Sequence, residues 1–177
     1  MRADSPGGTS GSLARDLWLA MNTEPQLIRI LAVDDHPLLR DGIAALISIA
    51  PDMQLVGACA NGREAIEQFR ALRPDVTLMD LQMPVMSGLE AIVGIRREFP
   101  EARIIVLTTY AGDVQVVRAF KAGASAFLVK NLAHQELLDT IRSVHRGRKA
   151  ISPEVSRDLA ADAADDTLTS SEGGDGS

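Results

Sequence analysis

Pro74-Asp75-Val76-Thr77-Leu78-Met79-Asp80-Leu81-Gln82-Met83-Pro84-Val85-Met86-Ser87-Gly88 decides the fold. Its first half is the apolar run Val76 to Met79, with two β-branched residues, and it stops at a carboxylate. Its second half holds Pro84, Ser87 and Gly88, after which an amphipathic pattern starts at Leu89. A short apolar run bounded by turn formers predicts a buried strand that delivers Asp80 to the mouth of a loop. Open α/β sheets bind their ligands beyond the carboxyl ends of their strands. The functional question is therefore what surrounds Asp80.

Outward from this stretch the same alternation repeats. Upstream, Ile28-Arg29-Ile30-Leu31-Ala32-Val33 is a strand that ends in Asp34-Asp35, and Pro37 opens a helix whose face is read as Leu38, Ala45, Leu46 and Ile49, with Ile43 and Ile47 nearby. Pro51-Asp52 breaks that helix, Leu55 to Ala60 forms a second strand, and Ala65, Ile66, Phe69 and Leu72 recur at helical spacing. Downstream, Leu89 to Ile95 lie on a helix closed by Phe99-Pro100. Arg103 to Leu107 is a strand ending at Thr108-Thr109-Tyr110, and Val114 to Phe120 predicts a helix stopped by Ala122-Gly123. Ser125 to Val129 is a fifth strand ending at Lys130, and Leu137, Leu138, Ile141 and Val144 mark a fifth helix. Strands alternating with helical crossovers require a parallel sheet with helices on both faces.

Composition narrows the function. Of the 177 residues 46% are apolar, enough for a core, and only 3% are aromatic, too few for a base-stacking surface or an aromatic-lined flavin pocket. The net charge is −6, but residues 158 to 177 hold six of the 24 acids and no Lys or Arg, so residues 1 to 157 are neutral. Neither a neutral body nor an acidic tail favours direct electrostatic binding to DNA. The basic cluster Arg142, Arg146, Arg148 and Lys149 suits the C-terminus of a helix better than a nucleic-acid contact. Cys59 is the single cysteine, read as a small core residue, and no intrachain disulfide is possible; this fits a reducing cytoplasm. No apolar run has the length of a membrane span.

The organisation expected is a flexible extension over 1–26, a folded body over 27–148, and a linker with an acidic tail over 149–177. Within the extension, Leu13, Leu17, Trp18 and Met21 suggest one or two weak helical turns, with Trp18 and Leu17 available for docking, and Met21 is an alternative chain start. A short helix is expected to begin at Ser152-Pro153-Glu154.

The strand tips bring Asp34, Asp35, Asp80, Thr108 and Lys130 to a common edge. Singly each has a plain structural explanation: helix capping for the acids, strand propensity for Thr108, solvation for Lys130. Together they form a set. Converging carboxylates repel unless a cation joins them. Hard oxygen ligands suit Mg²⁺, which shares its remaining positions with phosphate. Thr108 can donate to a phosphoryl oxygen and Lys130 can neutralise another, which is equipment for phosphoryl transfer with Asp80 as nucleophile.

Residues 28 to about 148 closely resemble the receiver domain of two-component response regulators, similar to CheY in fold and to the NarL/FixJ (LuxR-type) class in detail. The resemblance rests on Val33-Asp34-Asp35-His36-Pro37, Leu78-Met79-Asp80-Leu81-Gln82-Met83-Pro84, Ser87-Gly88-Leu89-Glu90, Leu107-Thr108-Thr109-Tyr110 and Ala122 to Lys130, in that order. It implies a flavodoxin-like, doubly wound sheet of strand order 2-1-3-4-5. It implies that Asp80 accepts a phosphoryl group from a sensor histidine kinase. Mg²⁺ would be held by Asp35, Asp80 and the backbone carbonyl of Gln82, with Asp34 beside them. Thr108 and Lys130 would contact the phosphoryl group, and Tyr110 would be the switch aromatic. Phosphorylation would alter the surface of the fourth helix, fifth strand and fifth helix, and homodimerisation on phosphorylation is an option. His36 is expected at a helix start, not as a phosphate carrier.

Regulators of this class continue into a helix-turn-helix domain, through which they reach DNA. Here Leu168-Thr169-Ser170-Ser171-Glu172 resembles its opening before Gly173 to Ser177. The expectation is a receiver fragment of a transcription factor, or a stand-alone receiver acting in a phosphorelay or by protein binding. Two other classes fit less well. An aspartyl-nucleophile phosphatase of the haloacid dehalogenase type wants a second Asp at the position of Gln82. A flavin carrier wants a hydroxyl and glycine loop where Asp34-Asp35 stand.

Overall fold

The computed structural model describes residues 10–164 except 111, 113, 132, 133, 152–155, 158, 162 and 163. The start of the helix expected at Ser152 and the acidic tail beyond 164 lie outside the described residues, while residues 156, 157, 159–161 and 164 are helical. Five strands, β1 (Ile28–Val33), β2 (Met53–Cys59), β3 (Val76–Asp80), β4 (Ile104–Thr108) and β5 (Ala126–Val129), form one parallel sheet of order β2-β1-β3-β4-β5. Helices α2 (Pro37–Ile49), α3 (Gly62–Leu72), α4 (Gly88–Glu98), α5 (Val114–Lys121) and α6 (His134–His145) connect or follow them. The chain is CheY-like in architecture, with the order expected.

The sheet is covered on both sides, and the strand sequences say why. β3 and β4 are buried at every residue and β1 at all but Arg29, so both side-chain directions must be apolar. One set, including Leu31, Val33, Met79, Ile104 and Val106, meets Phe69 of α3, Ile92 and Ile95 of α4 and Val116 of α5. The alternate set, including Ile30, Ala32, Leu78, Ile105 and Leu107, meets Ile43 and Ile47 of α2 and Leu138 and Ile141 of α6. The edge strands β2 and β5 are only partly buried.

Helix ends follow local chemistry. Pro37 occupies the first turn of α2, where its missing N–H leaves no bond unmade, and His36 is the N-cap. Asn61 caps α3 by accepting from Glu64 N–H at 3.0 Å. Ser87 and Glu90 form a reciprocal capping box at the start of α4, with bonds of 3.2 and 2.9 Å.

Two differences from the sequence reading concern the ends. The N-terminal segment holds a continuous helix, α1 (Ser10–Met21), instead of one or two weak turns, and residues 11–27 are all exposed. Strong helix formers such as Leu13, Ala14, Leu17 and Ala20 allow this. Trp18 and Leu17, which the sequence offered for docking, are 63% and 62% exposed. After α6 the chain returns to the sheet beyond residue 148: Ala150 N–H donates to Ser125 O at 3.1 Å and pairs with Ala126, and Ile151 packs on the core. The returning segment thereby pairs a backbone carbonyl at the sheet edge that no neighbouring strand uses.

Candidate functional site

The order β2-β1-β3 makes the crevice between β1 and β3 the switch point of the sheet, where consecutive connections leave in opposite directions. Val33 pairs with Met79, so the residues that follow, Asp34 and Asp80, leave adjacent strand tips side by side. Asp80 pairs with Leu107, and Thr108 with Val129. Lys130 N–H then donates to Thr108 O at 2.7 Å. Parallel register thus gathers residues separated by almost a hundred positions.

Asp34 and Asp80 are buried, at 0% and 4% exposure, and between them lies one ammonium. Lys130 Nζ is 2.7 Å from Asp34 Oδ2 and 3.2 Å from Asp80 Oδ2. These are ion pairs without a well-aligned hydrogen bond to either oxygen. Asp34 Oδ1 instead accepts from His36 N–H at 2.8 Å and lies 2.9 Å from His36 Nδ1. His36 Nδ1 is also 3.1 Å from Asp35 Oδ1. One ligand atom from each of Asp34, Asp35, His36 and Asp80 falls within 4.8 Å of the others.

The electrostatics are those of crowded carboxylates. Burial raises the Asp80 carboxyl above the usual carboxylate range, and the neighbouring charge of Asp34 raises it further, against the pull of Lys130. Burial works to lower the Lys130 ammonium, but the carboxylates of Asp34 and Asp80 at ion-pair distance outweigh it and hold it above its ordinary value. With buried oxygens on Asp34, Asp35 and Asp80 lacking directed donors, the donor set is hard and anionic and fits a small divalent cation.

Around this cluster is a cavity of about 110 Å³ lined by His36, Asp80, Gln82, Thr108 and Lys130 among others. Gln82 N–H donates to Asp80 Oδ1 at 3.3 Å. The Thr108 hydroxyl donates to Tyr110 O at 3.1 Å and accepts from Tyr110 N–H at 3.3 Å. The Tyr110 ring points outward and is 69% exposed.

The loop after Asp80 is tightly held. Gly88 N–H donates to Leu81 O at 2.9 Å, and a Cβ on Gly88 would stand 1.9 Å from Asp80 O, so no side chain fits there. Gly62 N–H at the start of α3 grips Met86 O at 2.9 Å. Val85 carries φ +71, a left-handed conformation unfavourable for a β-branched residue.

All seven residues singled out in the sequence, Asp34, Asp35, Asp80, Gln82, Thr108, Tyr110 and Lys130, lie at this edge. Sequence reasoning missed two neighbours. His36 does open α2, as expected, but its imidazole also lies against both acids. Arg40, one turn into α2, donates to the Asp34 backbone carbonyl and fixes the loop that carries the acids. The adjacency Asp34-Asp35-His36 was a visible signal for the first, whereas Arg40 was indistinguishable from any surface arginine.

Comparison with known proteins points the same way. Residues 30–142 match the family model described as response regulator receiver domain. The chain is 38% identical over 128 residues to the response regulator protein VraR of Staphylococcus aureus, covering 72% of this chain and 61% of that protein. The chain thus spans about three-fifths of the length of the curated relatives it matches. Among solved structures it is similar to a LuxR-family two-component response regulator from Aurantimonas (35% identity, TM-score 0.69, 78% of this chain and 99% of that one). It is also similar to the signal receiver domain of the response regulator NarL from Mycobacterium tuberculosis (31% identity, TM-score 0.66, 70% of this chain and all of that one). Matched strand tips, acidic crevice, family model and relatives agree: the chain belongs to the response regulator receiver domain family.

Proposed function

We propose that Asp80 accepts a phosphoryl group from a sensor histidine kinase and that the chain is a phosphorylation switch in the cytoplasm, not a turnover enzyme. The observation that carries this reading is the buried pair Asp34 and Asp80 joined by Lys130. A carboxylate held at high energy beside one ammonium is a nucleophile whose charge is used when phosphate arrives. An Asp80 oxygen attacks phosphorus, the P–N bond to the kinase imidazole breaks, and the electron pair returns to the imidazole nitrogen, which takes up a proton. Lys130 is placed to neutralise a phosphoryl oxygen. Asp34, Asp35, Asp80 and the Gln82 carbonyl would hold Mg²⁺, whose chemistry is to offset phosphate and carboxylate charge together.

Thr108 supplies the switch. Its hydroxyl is bonded to the Tyr110 backbone; donating to a phosphoryl oxygen instead breaks that bond and frees Tyr110 to turn inward. The surface of α5, β5 and α6 then changes. Transcriptional output through a separate DNA-binding domain, and homodimerisation on phosphorylation, extend this reading by analogy with the LuxR-family relatives.

The test is incubation with acetyl phosphate and Mg²⁺, followed by intact-mass measurement. One added phosphoryl group is expected, abolished by Asp80→Asn and by chelator. No adduct, or an adduct mapped to another residue, refutes the proposal.

A further inference from the structure

Two apolar surfaces of the described chain lack a partner, and they belong to segments tied close together. The first is α1. Leu13, Leu17, Trp18 and Met21 share one face and are 62–83% exposed. An isolated helix of about 12 residues is marginal in water, so α1 needs cover to persist.

The second is the groove between α2 and α6, a cavity of about 240 Å³ whose walls include Leu39, Gly42, Leu46 and Leu137, with Leu107 and Leu128 on the sheet beneath. Gly42 lowers the α2 wall: a Cβ there meets nothing within 4 Å. On the same outer face stand Leu38, 85% exposed, the exposed Ala45, and Ile49, 75% exposed. The positions 38, 42, 45 and 49 repeat at the four-three spacing of a helix-packing seam. A glycine inside a helix costs about 0.5–1 kcal/mol relative to alanine, so its gap asks for an occupant.

The tether decides which occupant. Ile28 N–H donates to Asp52 O at 2.8 Å, so residues 22–27 leave the body beside the C-terminal end of α2. Six residues span up to about 20 Å. Helices α1 and α2 are about 18 and 20 Å long. Laid alongside α2 in the same direction, α1 brings Trp18 and Leu17 to the height of Gly42. A tethered segment competes at millimolar effective concentration, ahead of any second copy in dilute solution.

We infer that α1 folds back as an intramolecular cover on the α2–α6 groove, seating Trp18 and Leu17 over Gly42. The groove rim includes Lys130, the ammonium that joins Asp34 and Asp80, so the cover borders the acidic site. The inference does not depend on phosphoryl transfer.

Trp18 is the only tryptophan, so fluorescence of the full chain under tryptophan-selective excitation, which leaves Tyr110 dark, reads this segment alone. Expected are emission at shorter wavelength than in the urea-unfolded chain and acrylamide quenching several-fold weaker. Both are expected to be independent of protein concentration, with a monomeric mass by light scattering. Gly42→Arg places a charge in the open gap while raising helix propensity. It is expected to restore the unfolded-chain quenching with the far-ultraviolet circular dichroism of the body retained. Leu17→Glu is expected to do the same from the other side. Three outcomes overturn the inference: quenching as strong as in the unfolded chain, protection that rises with concentration alongside a dimeric mass, or protection that survives both substitutions.

Discussion

Removing the charge of Asp80 is expected to stabilise the protein when no divalent cation is present. Lys130 Nζ at 3.2 Å contributes about 5 kcal/mol of attraction to the Asp80 carboxylate at an effective dielectric of about 20. Asp34 and Asp35, within 4.8 Å, each oppose it by about 3.5 kcal/mol on the same scale. Burial, the largest influence on Asp80, adds to the repulsion and holds its carboxyl above the usual carboxylate range, so the ionised form is disfavoured in the folded chain. Asp35 is the more exposed of the two neighbours, which trims its share. Asp80→Asn keeps the shape, and its amide oxygen still accepts from Gln82 N–H. Urea unfolding at pH 7 with chelator is expected to show the variant more stable by about 1–3 kcal/mol, with an unchanged slope. Adding Mg²⁺ is expected to narrow the difference, because a ligand that binds the folded wild type raises its stability by mass action. If the variant in chelator is equal to or less stable than wild type, the attraction of Lys130 outweighs the crowding, and the account of Asp80 as an electrostatically strained nucleophile is wrong.

Other perturbations probe separate parts of the structure. Gly88→Ala puts a methyl against Asp80 O and is expected to cost about 1–3 kcal/mol in urea unfolding and to slow phosphorylation by acetyl phosphate, since the loop after Asp80 must move. Ser87→Ala removes the capping box of α4 and is expected to cost about 1 kcal/mol with phosphorylation unimpaired. The hydrogen-bonded Arg142 guanidinium, at 2.7 and 3.0 Å, holds Asp52 below the usual carboxylate range. That contribution is present above the unfolded carboxylate pKa of about 3.9 and is lost as pH falls through the folded value; being solvent-screened, it is worth about 0.2–1 kcal/mol. Comparing Asp52→Asn with wild type at pH 7 and pH 2.5 checks it: the difference is expected to be smaller at the lower pH. Burial pushes the Cys59 thiol up to about 12, so iodoacetamide at pH 8 is expected to label it only after unfolding.

The alternation of apolar runs with helical spacing was enough to place five strands and the helices between them, because each strand is dominated by apolar residues and each helix between them shows an apolar face. The turn formers Pro37, Asn61, Pro74, Ser87 and Gly123 sit where the elements change. The motif order also made the receiver family legible. Other features were not legible because they depend on contacts between distant segments. Nothing local in Ala150 announces that its amide will close on Ser125, and a stretch that reads as a linker therefore joins the sheet edge. The helicity of α1 was under-read because Gly, Ser and Thr crowd the stretch up to Ser12 and mask the helix propensity that follows.

By itself the sequence determined which residues are available for chemistry: carboxylates after the first and third strands, a hydroxyl after the fourth and an amine after the fifth. Only the tertiary structure decided how they share charge. Parallel register sets Asp34 beside Asp80, and the tip of β5 brings Lys130 within ion-pair distance of both. It also turns His36 onto the two acids it follows, and aims the Thr108 hydroxyl at the Tyr110 backbone. The reason is physical: local propensity acts over a few residues, whereas electrostatic coupling depends on distances in space that only the assembled sheet imposes.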